Sequence, residues 1–414
     1  MGAFMSLMIH KCRQFCIWRI TIQYSLVSLI LSFLFGLSCK SPAANPCDRS
    51  SKDFLEIALL KSAISDQIPT CTSLSLGQTS SIFYVTNFNS NSITFFTGST
   101  GNYLFGTFLN STFTTGSNPK SVAVNPTGRI VYVANNSSAT VTFFNATNGA
   151  YLNGTLANSS FTTGSIPEGV TVNPTANILY VVNNGTTTVT YFNATTGAYL
   201  NGTLANSSFT TGPNPVGVAV NPTANILYVA SLNSSTVTYF NATTGAYLNG
   251  TLANSSFTTG ATPYEVAVNP SANILYVVNN SANTVTYFNA TTGAYLNGTL
   301  ANSSFTTGTT PQEVTVNPSA SILYVANNSV NTVTYFNATT GAYLNGTLAN
   351  SSFTAGTNPR GVAFSAAMNA VYVTNQGSNT VTVFNAITGA YFYGTLANSS
   401  FTTGSTPIGV AVSQ

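Results

Sequence analysis

From residue 81 onward, short runs rich in β-branched and aromatic residues alternate with short polar runs rich in Asn, Ser, Thr, Gly and Pro. One unit, residues 119 to 164, contains four such apolar runs, which read SVAV, RIVYVA, ATVTFF and AYLNGTL. Runs of this composition with turn residues at both ends predict β-strands. No helical periodicity follows residue 72. The pattern therefore predicts an all-β domain with four short antiparallel strands per unit.

Two sequence markers recur every 48 residues, seven times each. The first is a tyrosine within runs such as NILYVVN, at Tyr84, Tyr132, Tyr180, Tyr228, Tyr276, Tyr324 and Tyr372. The second is a proline that opens the first strand, at Pro119, Pro167, Pro215, Pro263, Pro311, Pro359 and Pro407. Seven four-stranded units predict a seven-bladed β-propeller, with a parallel β-helix or an open solenoid as the alternatives.

The tyrosine series begins before the proline series, so the first unit lacks its own proline-led strand. The chain ends on TPIGVAV, residues 406–412, which is such a strand without the rest of a unit. We therefore expect this C-terminal strand to complete the first blade and to close the ring, because closure removes the exposed edges of an open array.

The units resemble the YVTN-type β-propeller repeat, in which Pro, Val-x-Val, Tyr-Val-x-Asn, Thr-Val and a Gly turn follow one another. YVTN itself occurs at 84–87 and 372–375, and the resemblance covers residues 81 to 414. Some seven-bladed relatives resemble lactonases, and others act in redox or surface-layer settings. The resemblance implies that a lactonase would use a metal or a Glu, His and Arg set on its channel. This sequence lacks that set.

Residues 1–38 have the layout of a secretory leader. Lys11, Arg13 and Arg19 precede an uncharged stretch at 20–38, and FGLSC resembles a bacterial lipobox that would lipidate Cys39. The match is imperfect because Leu37 stands two residues before the cysteine. An uncleaved signal anchor and plain secretion are the alternatives. The expected location is therefore extracytoplasmic and membrane-anchored, at the outer membrane or cell surface.

Residues 39–78 are predicted to tether this leader to a propeller at 79–414. Ser50 and Asp53 fit a capping box before a short helix. In an exported chain, Cys47 and Cys71 favour a disulfide that closes this segment, although two free thiols remain the alternative.

The composition limits the kinds of binding site and catalytic site that the chain could form. The chain is 44% hydrophobic and 4% charged, which argues against disorder and against nucleic-acid binding. Without its leader it would contain no histidine and no tryptophan, and there is no Asp after residue 66 and no Cys after residue 71. The propeller charges are three acids and three bases: Glu168, Glu265, Glu313, Lys120, Arg129 and Arg360. This inventory predicts no metal, no cofactor and no enzyme activity.

The nearly identical repeats differ at the residue after the periodic proline and at the next position. By strand antiparallelism these positions open the innermost strands and ring the channel, on the same face as the variable loop after the second strand. They form the predicted ligand-binding face: Lys120, Glu168, Val216, Tyr264, Glu265, Gln312, Glu313, Arg360 and Ile408. Unconstrained drift after recent duplication is the alternative. Glu265 and Glu313 could face each other across neighbouring blades but are expected to be rim charges.

Together these features predict a monomeric, non-catalytic scaffold that binds or adheres to a protein or glycan of the host or envelope. A lactonase-like envelope hydrolase and a structural surface-layer component are the alternatives. The many Asn-x-Ser/Thr sequences are expected to serve turns and solubility, with glycan attachment as the second interpretation.

Overall fold

A computed structural model describes residues 81–125, 127 and 129–413. The predicted leader, the lipidation of Cys39, the tether helix and the Cys47–Cys71 disulfide lie outside these residues. Within the part described, no helix is long and apolar enough to cross a membrane.

Seven separate four-stranded antiparallel sheets form the blades of a β-propeller. Blade 1 consists of the last strand of the chain and the first three, and blades 2 to 7 each use four consecutive strands. The inner strands are β4 (Pro119–Asn125), β8 (Pro167–Asn173), β12 (Pro215–Asn221), β16 (Pro263–Asn269), β20 (Pro311–Asn317), β24 (Pro359–Ser365) and β28 (Pro407–Val412). The second strands are β1 (Ile82–Asn87), β5 (Ile130–Asn135), β9 (Ile178–Asn183), β13 (Ile226–Ser231), β17 (Ile274–Asn279), β21 (Ile322–Asn327) and β25 (Ala370–Asn375).

The outer half of each blade is shorter. The third strands are β2 (Ser92–Thr97), β6 (Thr140–Asn145), β10 (Thr188–Asn193), β14 (Thr236–Asn241), β18 (Thr284–Asn289), β22 (Thr332–Asn337) and β26 (Thr380–Asn385). The outer strands are β3 (Thr112–Thr114), β7 (Ser160–Thr162), β11 (Ser208–Thr210), β15 (Ser256–Thr258), β19 (Ser304–Thr306), β23 (Ser352–Thr354) and β27 (Ser400–Thr402). A single 3-10 turn, Asn328–Val330, precedes β22.

The C-terminal strand completes blade 1, as the sequence predicts. β28 pairs antiparallel with β1, with Tyr84 opposite Ala411 and Phe83 opposite Val412. Ser413 extends the contact, because its backbone N–H donates to the Ile82 carbonyl at 2.8 Å. Inner strands β24 and β4 both contact β28, so the ring is closed.

The hydrophobic core is divided into seven clusters, each between two neighbouring blades. The second strand of each blade is packed on both faces, and all six residues of β9 are buried. This explains the continuous apolar runs such as ILYVV, because a strand covered on both sides needs no polar alternation.

The periodic tyrosine links each blade to the next. Its phenol donates a hydrogen bond to a backbone carbonyl of the following blade, as from Tyr84 to Ala146 at 2.8 Å, and Tyr372 closes the cycle onto Gly98 at 3.1 Å. The other pairs are Tyr132–Ala194, Tyr180–Ala242, Tyr228–Ala290, Tyr276–Ala338 and Tyr324–Ala386. The tyrosine therefore has the inter-blade packing role that its periodicity indicates, with its polar end satisfied.

The prediction of the fourth strand at AYLNGTL is wrong. In blade 2, Tyr151 makes only an isolated bridge to Phe144, and the chain then turns at Gly154, whose φ is 82°. The Ser159 hydroxyl accepts a hydrogen bond from the Asn153 N–H at 2.8 Å and holds this turn. The outer strand is instead β7, which is shorter and follows the turn. Its three residues were too few for the strand pattern to reveal.

Candidate active site

The nine residues predicted to form a binding face all line one cavity, at the end of the central channel where the inner strands begin. Its volume is about 310 Å³. Seven of the nine directly follow the periodic proline, so each blade contributes one side chain, and Glu265 and Glu313 occupy the next position. The structure thus brings the nine side chains together at the channel, and their role as a ligand-binding face stays a prediction.

The loop after the second strand reaches the same site. Asn136 Nδ2 donates to Glu168 Oε1 at 3.1 Å, and Gln376 Oε1 accepts from Arg360 Nη1 at 3.4 Å. Variable positions of the inner strand and of this loop therefore lie on one face, as strand antiparallelism predicts.

Two of the charged side chains neutralise each other. Lys120 Nζ forms an ion pair with Glu168 Oε2, and both side chains are largely buried, at 18% and 12% exposed. They come from the neighbouring inner strands β4 and β8, so the pair connects blades 2 and 3.

Glu265 occupies a position where four other blades carry glycine. Its Oε1 accepts a hydrogen bond from its neighbour, the Val266 N–H, at 3.2 Å, and the Val218 N–H of blade 4 also donates to this carboxylate. A Cβ on Gly217 would lie 2.7 Å from the Tyr264 carbonyl oxygen and from the Glu265 Cα, so blade 4 needs glycine here because the backbone of blade 5 passes close by.

Burial raises the pKa of Glu265 to about 7, although part of the side chain faces the channel. The two backbone donors and Lys120 act against this rise, and the negative charge of Glu168 adds to it. A carboxyl that titrates near neutrality can accept a proton at physiological pH.

Glu313 occupies the equivalent position of blade 6 and also lines the cavity. Burial, and then the charge of Glu265, raise the pKa of Glu313 well above its usual value, while Arg360 and the Val362 N–H lower it. Two carboxyls that repel each other do not ionise together, so one of the pair keeps its proton when the other loses its own.

Arg360 is held by neutral partners. Its Nη2 donates to the Tyr264 phenol oxygen at 2.7 Å, and its guanidinium carbon lies 6.0 Å from the centre of that ring. Since a guanidinium has five N–H groups, donors remain for a ligand in the cavity.

The remainder of the cavity lining is mainly apolar. The valine three residues after each periodic proline lines the cavity in all seven blades, from Val122 to Val410. Val216 and Ile408 add apolar side chains at the proline-following positions of blades 4 and 1. In the described part of the chain, no three or more His, Cys, Asp or Glu side chains are grouped so that they could hold a metal ion.

The sequence predicts rim charges at Glu265 and Glu313; in the structure both line the channel cavity, half-buried, and interact with each other. Sequence reasoning also missed two backbone N–H groups, those of Val218 and Val362, which donate to the carboxylates of Glu265 and Glu313. The signal that could have indicated an enclosed position is the glycine of neighbouring blades, because glycine at an inner-strand position marks close approach of another chain segment.

The sequence matches the family described as "Lactonase, 7-bladed beta-propeller" over residues 60–156 and 241–390, more than half of the chain. The chain belongs to this family. No curated protein matches it.

Solved structures share the fold at low identity. A candidate 6-phosphogluconolactonase from Bacteroides fragilis is 18% identical with a TM-score of 0.60, and the match covers 81% of this chain and 99% of that one. A second candidate 6-phosphogluconolactonase, from Bacteroides uniformis, has the same identity and TM-score, with 80% and 99% covered. A protein of unknown function from Desulfotomaculum acetoxidans also matches, at 18% identity, a TM-score of 0.60, and 80% and 98% covered.

The family match overturns two predictions, namely that the protein is not an enzyme and that it is a non-catalytic adhesion scaffold. Both rested on the absence of His and Asp from the propeller. Hydrolysis of an ester needs a base near neutrality and a donor for the carbonyl oxygen, and an enclosed Glu and an Arg are able to supply these functions.

Proposed function

We propose that the protein hydrolyses a lactone, a cyclic ester, in the channel cavity, with Glu265 as the general base. The observation that carries this proposal is an enclosed carboxyl, with its pKa near 7, in the same cavity as Arg360. The family match supports the reaction class.

In the proposed reaction, Glu265 takes a proton from water while the water oxygen bonds to the lactone carbonyl carbon. Arg360 donates hydrogen bonds to the carbonyl oxygen as negative charge develops there. The ring C–O bond then breaks, and its oxygen receives a proton from Glu313, so the product is a hydroxy acid. Proton transfer from Glu265 to Glu313 restores the starting state.

The test is hydrolysis of γ-butyrolactone, δ-valerolactone and glucono-δ-lactone by the purified full chain, followed by base titration. We expect turnover above the buffer rate, and kcat lowered by about 100-fold or more in Glu265→Gln. Arg129→Gln is the matched control, because Arg129 is the one charged residue of the described part that does not line the cavity.

The pH profile tests the two carboxyl roles. Since the base acts without its proton, kcat/KM should rise with pH through about 7, and it should fall again when Glu313 ionises. Full activity of Glu265→Gln, or no hydrolysis of any lactone by the wild-type protein, would exclude the proposal.

We also propose that the propeller acts outside the cytoplasm, anchored through Cys39, and that its units are of the YVTN type. The basic and apolar composition of residues 1–38 and the YVTN sequences at 84–87 and 372–375 support these two proposals. Labelling with a radioactive fatty acid in a bacterial host should mark the wild type and leave Cys39→Ser unlabelled. Equal labelling of both chains would contradict the anchor.

A further inference from the structure

We infer that the lactone bound in this cavity is uncharged and carries no phosphate group. The inference rests on the proposed function and concerns the substrate of the same site. It separates this chain from the two candidate 6-phosphogluconolactonases that share its fold.

The first observation is the number of free cations. The cavity contains two basic side chains, and one of these, Lys120, is already paired with Glu168. A phosphate monoester has close to two negative charges at neutral pH and is bound in proteins by several cationic or N–H donors. Of these two cavity bases, only Arg360 forms no ion pair with an acid among the described residues.

The second observation is the negative charge around that arginine. Glu265 must ionise to act as a base, and Glu168 is paired in the same ring. With Glu313 protonated, the two bases and the two ionised acids sum to no net charge. A dianion would therefore meet repulsion from Glu265 without a compensating excess of positive charge, in a site where burial weakens solvent screening.

The third observation is the rest of the lining. The seven equivalent valines between Val122 and Val410, with Val216 and Ile408, offer contact for ring carbons and no hydrogen-bond donor from their side chains. An uncharged ring gains from burial against these side chains, whereas a phosphate gains nothing from contact with them.

The experiment compares kcat/KM for glucono-δ-lactone and 6-phosphoglucono-δ-lactone, which differ only in the phosphate. We expect kcat/KM to be lower by about tenfold or more for the phosphorylated lactone. Glu168→Gln leaves Lys120 unpaired and should shift this ratio toward the phosphorylated substrate, and Arg129→Gln should leave the ratio unchanged. A wild-type preference for the phosphorylated lactone would overturn the inference while the proposed hydrolysis stands.

Binding is measured in parallel by calorimetry, with δ-valerolactam as an uncharged, hydrolysis-resistant probe and inorganic phosphate as the charged one. If no lactone is hydrolysed but the lactam binds more tightly than phosphate, the proposed hydrolysis fails and the inference about ligand charge stands. If phosphate binds more tightly, or if neither probe binds, the inference is overturned.

Discussion

Arg360 Nη2 donates a 2.7 Å hydrogen bond to the phenol oxygen of Tyr264, although the two residues lie on blades 7 and 5 of the ring. Blade 6, between them, carries Glu313, whose pKa is lowered in part by Arg360. The contact holds the guanidinium in the cavity, so less freedom is lost when it binds a carbonyl oxygen.

This contact predicts that Tyr264 positions Arg360 for hydrolysis. Tyr264→Phe retains the ring and removes the hydroxyl, so we expect kcat to fall by about tenfold because the guanidinium is held less firmly. Arg360→Lys should reduce kcat further, since an ammonium lacks the fork of donors. Steady-state kinetics and melting temperatures check both variants. Unchanged kcat in Tyr264→Phe would contradict the positioning role.

Because the carboxyls of Glu265 and Glu313 are partly removed from water in the fold, we expect the free energy of unfolding to fall as pH rises. Burial raises the pKa of both Glu265 and Glu313 above the ordinary carboxyl value of 4.5, so the folded state binds more protons than the unfolded chain. The stabilisation is complete below that value and declines as pH rises, through about 7 for Glu265 and through the raised pKa of Glu313. Calorimetric melting across this range should show the decline.

The matched control for this pH effect is the double variant Glu265→Gln, Glu313→Gln. Its amides do not titrate, so its melting temperature should depend less on pH than that of the wild type. A wild-type melting temperature that increases with pH from 4.5 to 7 would contradict the prediction.

Deleting residues 405 to 414 should destabilise the whole propeller. The deletion exposes an edge of β1 and removes Val410, which packs between blades 7 and 1. We expect a lower melting temperature and a broader transition, because every blade depends on its neighbours.

A rearranged chain tests whether closure is the cause. Residues 405–412 are placed before Ile82 and joined by the NPTAN turn of residues 221–225, which links β12 and β13 in blade 4. This chain should recover most of the lost melting temperature. Equal stability of the deletion variant and the wild type would disprove closure by β28.

Blade 4 contains a buried hydroxyl without a hydrogen-bond partner, and a single substitution should replace it with a bonded group. The other six blades end their second strand with Asn, and in blade 3 the Asn183 Nδ2 donates to Thr188 and Thr190 of the third strand. Blade 4 has Ser231, whose buried Oγ finds no hydrogen-bond partner among the described residues. Ser231→Asn should therefore stabilise the protein by about 1 kcal/mol, measured by chemical unfolding. The reverse change Asn183→Ser should destabilise it.

Arg129 stands at a turn position with φ of 50°, where four other blades use Asn. Side chains without a short polar group are disfavoured in this left-handed region. In blade 3 the equivalent Asn177 Oδ1 also accepts a 2.9 Å hydrogen bond from Thr195. Arg129→Asn should raise the free energy of unfolding of the protein by about 0.5–1 kcal/mol, while Asn177→Arg should lower it. Lower stability of Arg129→Asn would show that the arginine makes a compensating contact.

The 48-residue period by itself determined the seven blades, the closure by β28 and the ring of variable side chains at the channel. These follow from sequence because every blade repeats one local pattern, and the position after the periodic proline has the same place in each. The period did not locate the outer strands, since three residues pairing at the edge of a blade leave no periodic signal of their own.

Tertiary structure decided what the ring can do. Glu265 and Glu313 look like ordinary surface acids in sequence, and their proton affinities depend on backbone and side chains brought together from blades 2 to 7. The Arg360–Tyr264 contact likewise joins residues from separate repeats. Ionisation and charge pairing depend on distances and solvent access in the closed ring, and a repeat sequence contains neither quantity.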